Sequence, residues 1–106
     1  MVIVIQRLIQ RIANGKWDEL EVIDKKFTEY EAKLGYPPKK RFRALTGCND
    51  TNVLIIEFQW ASLAKMEKTM TKAFLDTEYQ ELSKKLDDIV EWQKFELYVP
   101  HPPFPV

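Results

Sequence analysis

The chain has 106 residues, of which 45% are hydrophobic and 12% aromatic, and its 16 basic residues balance its 16 acidic ones. This length predicts one domain with its own core, and the lack of a basic excess argues against nucleic acid as a partner. The single cysteine, Cys48, excludes an internal disulfide, and no run reaches the roughly 20 apolar residues of a membrane span, so we expect a cytoplasmic protein with no membrane partner.

The first third of the chain predicts a strand followed by a helix. Residues 2–12, VIVIQRLIQRI, are rich in β-branched side chains and favour a strand, which ends at Asn14-Gly15. Beyond it, apolar residues recur at spacings of three and four and predict one buried helix face: Trp17, Leu20, Ile23, Phe27, Tyr30 and Leu34. Gly35 and the pair Pro37-Pro38 are typical of a helix end.

Residues 39–60 predict a β-hairpin. KKRFRALTG (39–47) alternates like a half-buried strand, GCNDT (47–51) has the composition of a turn, and VLIIEFQW (53–60) is the third strand. One face of this third strand is wholly apolar: Leu54, Ile56, Phe58 and Trp60. The other face begins apolar and ends polar: Val53, Ile55, Glu57 and Gln59. Such a mixed face suits neither water nor an ordinary core.

The last third predicts two helices and a strand. Ser62 is expected to cap a second helix, whose apolar face holds Leu63, Met66, Met70 and Phe74. Thr77 and Gln80 have the spacing of a capping box for a third helix, which we expect to end near Leu86. EWQKFELYV (91–99) predicts the fourth strand.

The resulting order is β-α-β-β-α-α-β. The tight hairpin between strands two and three favours the ferredoxin-like arrangement over a parallel sheet. The fold class is therefore α+β, with a four-stranded antiparallel sheet in the order 4-1-3-2 and helices on one face. We assign residues 1–99 to this domain. Residues 100–106, PHPPFPV, form a proline-rich tail that either lacks structure or lays Phe104 on another subunit.

Three segments resemble motifs of the dimeric α/β-barrel proteins. ANGKWDEL (13–20) is similar to their first strand-to-helix turn, and EFQWASLAKME (57–67) to the exit from their third strand. DTEYQEL (76–82) is similar to the start of their last helix, with Thr77 where those proteins have proline. The match keeps its order and spacing over residues 1–99. The group includes the NIPSNAP proteins and the antibiotic-biosynthesis monooxygenases, whose functions are diverse.

The resemblance implies a homodimer in which two sheets pack face to face and close a barrel. The mixed face of the third strand would then line a cavity shared with the partner subunit. By the alternation of side chains along a strand, we assign Arg41 and Arg43 to this mixed face and Phe42 to the helices. In the first strand we favour Arg7 over Gln6 for the mixed face, because burying an arginine beneath helices would cost more.

Seven side chains are the predicted ligand-binding residues of this cavity: Arg7, Arg43, Glu57, Gln59, Trp92, Glu96 and Tyr98. Glu57 and Glu96 either act as an acid–base pair or pair with neighbouring cations at the dimer seam. A separation of about 10 Å across the first strand favours the second alternative. Arg43 and Arg7 are the candidate partners of Glu57, and Arg43 is the stronger one because the second strand adjoins the third.

We predict neither a metal nor a haem, and no other cofactor. His101, the only histidine, lies in the tail, whereas metal sites use clusters of ligands. Haem-degrading proteins of this group carry a histidine on the helices after the third strand, and residues 61–90 contain none. Cys48 lies in a turn and has no neighbouring histidine to activate it.

Two functions fit these observations. The first is a homodimeric module that holds a small polar or aromatic molecule, or that is only structural. The second, implied by the resemblance, is a cofactor-independent monooxygenase-like enzyme acting on a small aromatic substrate. Such enzymes often use asparagine, tryptophan or histidine deep in the barrel, and the absence of histidine from the mixed face favours the first function.

Overall fold

A computed structural model describes residues 3–102 of the chain. Its elements follow the predicted order: β1 (Val4–Ile12), α1 (Trp17–Leu34), β2 (Lys39–Arg43), β3 (Val53–Trp60), α2 (Leu63–Phe74), α3 (Thr77–Lys85) and β4 (Val90–Tyr98). The strands form one antiparallel sheet in the order β2-β3-β1-β4, which confirms the predicted α+β ferredoxin-like fold. None of the helices within residues 3–102 combines the length and the hydropathy that crossing a bilayer requires. The tail prediction for Phe104 lies outside the described residues.

Two of the predicted helix ends are confirmed. Gly35 ends α1 with a φ of 100°, a left-handed conformation that glycine adopts without a steric penalty. Ser62 begins α2, where its side-chain oxygen accepts a hydrogen bond of 3.1 Å from the backbone N–H of Lys65. Both ends therefore follow from local sequence.

The start of α3 differs from the prediction by one residue. Asp76, and not Thr77, is the N-cap, and its carboxylate accepts hydrogen bonds from the backbone N–H groups of Glu78 and Tyr79. The same carboxylate accepts a hydrogen bond of 2.6 Å from the Tyr30 hydroxyl on α1. A carboxylate is favoured at this position because it both caps the helix and opposes the positive end of the helix dipole.

The register of the sheet shows which side chains share a face, because residues directly opposite each other point the same way. The apolar face predicted for β3 is buried beneath the helices. In β1, Gln6 and Gln10 lie on this helix-covered face and Arg7 lies on the open face, as favoured from the sequence. Hydrogen bonds explain why glutamines are tolerated beneath helices: Gln6 Oε1 accepts from the indole N–H of Trp60 at 2.7 Å.

The predicted faces of β2 are wrong. In the register, Arg41 and Arg43 lie on the helix-covered face, and Phe42 lies on the open face beside Ile55. The physical reason is that α1 supplies partners for both arginines. Arg41 pairs with carboxylates of α1, and the Arg43 guanidinium lies 4.1 Å from the centre of the Trp17 ring.

The helices cover the sheet unevenly. Phe58 in the middle of the sheet is 2% exposed, whereas Phe95 and Leu97 on the same face of β4 are 47% and 43% exposed. Alternation of side chains along β3 and β4 predicts that Phe58 and Phe95 are both helix-side core residues, and only Phe58 is buried. β4 is an edge strand, and its helix-side face is only partly covered.

Candidate functional site

A cavity of about 480 Å³ lies between the helix-covered face of the sheet and the three helices. Cavities that hold small molecules are typically about 300–1,000 Å³ and mainly apolar. Side chains from both layers form its apolar walls: Leu8, Phe27, Phe58, Met70, Leu86 and Phe95. Its size and lining therefore suit a small organic molecule.

Two aromatic pairs border this cavity. The rings of Phe27 and Tyr79 meet edge to face, with their centroids 5.4 Å apart, and the rings of Tyr36 and Phe58 do the same at 5.3 Å. Burial raises the pKa of both Tyr36 and Tyr79, and each of the two hydroxyls lies close enough to shift the pKa of the other. The tyrosines therefore remain neutral and offer hydroxyl groups within an aromatic surface.

One end of the cavity is charged. Asp24 and Glu31 on α1 and Lys39 on β2 all contribute to its lining, and their side chains are at most 10% exposed. Lys39 Nζ donates a hydrogen bond of 3.0 Å to Asp24 Oδ1 and lies 3.0 Å from Glu31 Oε1. None of these three residues is among the site residues predicted from the sequence.

A sequence signal for the two carboxylates does exist. Asp24 follows Leu20 by four residues, and Glu31 follows Phe27 by four, so all four lie on the most buried stripe of α1. Acidic residues inside an apolar stripe are unusual, because a buried carboxylate requires a partner. The pattern could have indicated a buried charge, but not Lys39 as its partner.

Glu31 is the least satisfied of these groups. Although Oε1 is in ion-pair contact with Lys39, the approach lacks hydrogen-bond geometry, and this oxygen is buried without a hydrogen-bond partner. Burial raises the pKa of Glu31, and the positive charge of Lys39 opposes that rise. A donor group on a bound molecule could complete the hydrogen bonding of this carboxylate.

The predicted cavity residues lie elsewhere. Six of them share the open face of the sheet: Arg7, Glu57, Gln59, Trp92, Glu96 and Tyr98. Arg43 lies on the opposite face, so its assignment is wrong. Of the seven, only Trp92 also borders the cavity beneath the helices. A cavity shared by two subunits requires a dimer, so the prediction that the open face lines such a cavity stays a prediction.

The favoured partner of Glu57, Arg43, is also wrong, and the second candidate, Arg7, forms the pair. Arg7 Nε lies 3.1 Å from Glu57 Oε1 and donates a hydrogen bond to it, because β1 places Arg7 directly opposite Glu57 while Arg43 points away. On the other side of Arg7, the Tyr98 hydroxyl donates to Glu96, and this hydrogen bond raises the pKa of Tyr98.

Together these groups form a charged row across the open face. In the order of the strands β2, β3, β1 and β4 it consists of Lys40, Glu57, Arg7 and Glu96. The charges alternate and sum to zero. A neighbouring row contains Phe42, Ile55 and Ile9, so apolar surface adjoins the charges.

Within residues 3–102, no group of three or more histidine, cysteine, aspartate and glutamate side chains is placed to hold a metal ion. Cys48 is exposed in the loop between β2 and β3. His101 is exposed beyond the end of β4. Neither residue approaches the cavity lining.

The sheet order and the layer of helices define a ferredoxin-like α+β domain with a cavity between its sheet and its helices. No protein-family model matches the chain, and neither does any curated protein. Solved structures do match. A NIPSNAP family protein from Agrobacterium tumefaciens is 22% identical, with a TM-score of 0.77 over 93% of this chain and 86% of that one. An uncharacterized NIPSNAP domain protein from Burkholderia xenovorans is 15% identical, with a TM-score of 0.79 over 97% and 99%.

A third similar structure is a variant of SnoaB, a cofactor-independent oxygenase from Streptomyces nogalater. It is 10% identical, with a TM-score of 0.72 over 94% of each chain. These likenesses confirm, at the level of the fold, the resemblance that the three sequence segments predicted. At such identities they carry no information about the activity of this chain.

Proposed function

We propose that this protein is a homodimeric binding domain in which each chain holds a small aromatic molecule between its sheet and its helices. The observation that carries this proposal is the cavity of about 480 Å³, with aromatic walls and a buried charged end. A merely structural domain would gain stability by filling such a space. It would also gain by replacing the whole buried cluster of Asp24, Glu31 and Lys39 with apolar residues.

Filling the cavity tests its role. Ser83 on α3 borders the cavity and Lys84 beside it is exposed, so Ser83→Phe should occupy the space and Lys84→Phe should not. We expect phenols or indoles to raise the melting temperature of the wild type and of Lys84→Phe, but not of Ser83→Phe. If no aromatic compound in a panel binds the wild type in calorimetry, the cavity is not a binding site.

The open face supports the homodimer. From β2 to β4 the charges of the row are positive, negative, positive and negative, and from β4 to β2 they have the opposite signs. A two-fold axis parallel to the strands and through the middle of the row would place Glu57 opposite Arg7 of the partner subunit, and Lys40 opposite Glu96 of the partner subunit. An interface between two subunits related by a two-fold axis must be complementary to itself. The charged row meets that condition.

Light scattering at micromolar concentration tests the assembly, with twice the chain mass of 12.6 kDa expected. Phe42 lies on the open face and is 50% exposed, so Phe42→Lys should disrupt the dimer without harming the monomer. Val22→Lys, on the exposed side of α1, is the matched control and should leave the dimer intact. A wild-type monomer would overturn this part of the proposal.

A second candidate function is cofactor-independent oxidation of a small aromatic substrate. The observation that favours it is the aromatic lining of the cavity, in a fold that SnoaB shares over 94% of this chain. Oxygen uptake in the presence of electron-rich phenols and hydroquinones tests it, with Ser83→Phe as the blocked control. If compounds that bind cause no oxygen uptake, the oxidation function is contradicted and the binding function still holds.

A further inference from the structure

The charged end of the cavity carries one uncompensated negative charge. Arg41 donates two hydrogen bonds of 2.8 and 3.0 Å to Glu21 and also contacts Asp24. Lys39 contacts Asp24 and Glu31. The three carboxylates and two cations of this cluster sum to a net charge of −1 at this end of the cavity.

Of the two buried carboxylates that line the cavity, Glu31 has fewer cationic partners than Asp24. Both oxygens of Asp24 have cationic neighbours, because Lys39 Nζ lies 3.0 Å from Oδ1 and Arg41 Nε lies 3.1 Å from Oδ2. Among residues 3–102, Glu31 forms an ion pair with Lys39 alone, and its buried Oε1 has no hydrogen bond. The neighbouring groups from the loop after α1 and from α3 are the neutral hydroxyls of Tyr36 and Tyr79.

We propose that the cavity selects a small aromatic molecule that carries a protonated amine, and that its ammonium group binds Glu31. This inference rests on the proposed binding function and specifies the chemistry of the ligand. An ammonium group supplies both the missing donor and the missing positive charge, whereas a neutral hydroxyl supplies only a donor. A carboxylate would add a second uncompensated charge.

The aromatic pairs strengthen the choice of a cationic ligand. Phe27, Tyr79 and Tyr36 line the cavity near Glu31, and the electron-rich face of an aromatic ring attracts a cation within about 6 Å. The rest of the lining is mainly apolar, apart from Gln6, Gln10, Ser83, Asp87 and Gln93. The cavity is large enough for a bicyclic ring with a two-carbon arm. A ring and a terminal ammonium can therefore be accommodated together.

Three probes that differ mainly in charge test the proposal with the wild-type protein. Tryptamine, tryptophol and indole-3-acetate all have an indole ring with a short arm, which ends in an ammonium, a hydroxyl and a carboxylate, respectively. By calorimetry at pH 7, we expect tryptamine to bind at least about tenfold more tightly than tryptophol, and indole-3-acetate to bind most weakly.

Two substitutions locate the effect. Glu31→Gln keeps the shape of the side chain and removes its charge, so tryptamine should lose its advantage while tryptophol binds as before. Glu29→Gln removes an exposed carboxylate from the same helix, outside the cavity lining and away from the ion pairs of Lys39 and Arg41, and should change neither affinity. Circular dichroism establishes whether each variant is folded. If Glu31→Gln does not fold, the affinities of the three probes for the wild type test the proposal by themselves.

The outcomes separate this inference from the proposed function. Equal affinity for tryptamine and tryptophol would overturn the inference and leave a cavity that binds aromatic molecules. Tightest binding of indole-3-acetate would overturn it in favour of Lys39 as the recognition group. Persistence of the tryptamine preference in Glu31→Gln would also overturn it. If none of the three probes binds, the inference and the proposed function fall together.

Discussion

Replacing Phe58 and Phe95 separately with alanine should have very different effects on stability. Both side chains lie on the helix-covered face, but Phe58 is 2% exposed and Phe95 is 47% exposed. Truncation of a fully buried phenylalanine costs about 3–5 kcal/mol. Only about half of the Phe95 side chain is buried, so its truncation should cost about half as much, about 1.5–2.5 kcal/mol. Truncation of Phe58 also removes its edge-to-face contact with the Tyr36 ring, whose centroid lies 5.3 Å from that of Phe58.

Urea unfolding followed by circular dichroism measures both costs as changes in the free energy of unfolding. All samples need the same protein concentration, because a dimer makes the midpoint depend on concentration. Dimerisation through the open face would cover neither side chain, so the difference should persist in a dimer. Equal costs for the two substitutions would refute the reasoning, since they would mean that the edge strand β4 is as well covered as the centre of the sheet.

Three further predictions concern the cap, the buried carboxylate and the open face. Asp76→Ala should lower the melting temperature by more than Thr77→Ala does, because Asp76 makes the capping hydrogen bonds; equal effects would restore the capping box predicted from the sequence. Burial raises the pKa of Glu31 above its ordinary value of 4.5, so its stabilising contribution is full below that pH and is lost as the pH rises through the folded-state pKa. Thermal melts should therefore show Glu31→Gln gaining stability relative to wild type between pH 4 and pH 8, and a constant difference would contradict this. Glu57→Gln removes the partner of Arg7 on the open face and should weaken the dimer in sedimentation without changing ligand affinity; changed affinity alone would place the ligand on that face.

The sequence by itself determined the order of the elements and the sheet topology. Helix α1 was predictable because its apolar residues have helical spacing and Gly35 ends it. The strand order followed because a short hairpin makes β2 and β3 neighbours, and the ferredoxin-like arrangement then places β1 between β3 and β4. These features depend on local patterns and on general rules of connection.

The faces of the strands with charged residues were decided only by tertiary structure. Alternation shows that Arg43 and Phe42 point in opposite directions, but not which of them points to the helices. The outcome depends on Trp17, which lies on α1 and covers the Arg43 guanidinium. Likewise, Arg7 and not Arg43 pairs with Glu57, because pairing across strands requires a shared face as well as adjacent strands.

The candidate site depended most on the tertiary structure. Asp24 and Glu31 interrupt the apolar stripe of α1, so the sequence contained a sign of buried charge. Their partner, Lys39, lies on a separate strand, and it reaches them only when α1 packs across β2. Whether a buried carboxylate is satisfied depends on the geometry of groups that are distant along the chain. For that reason a linear pattern can indicate such a residue but cannot define the cavity that it faces.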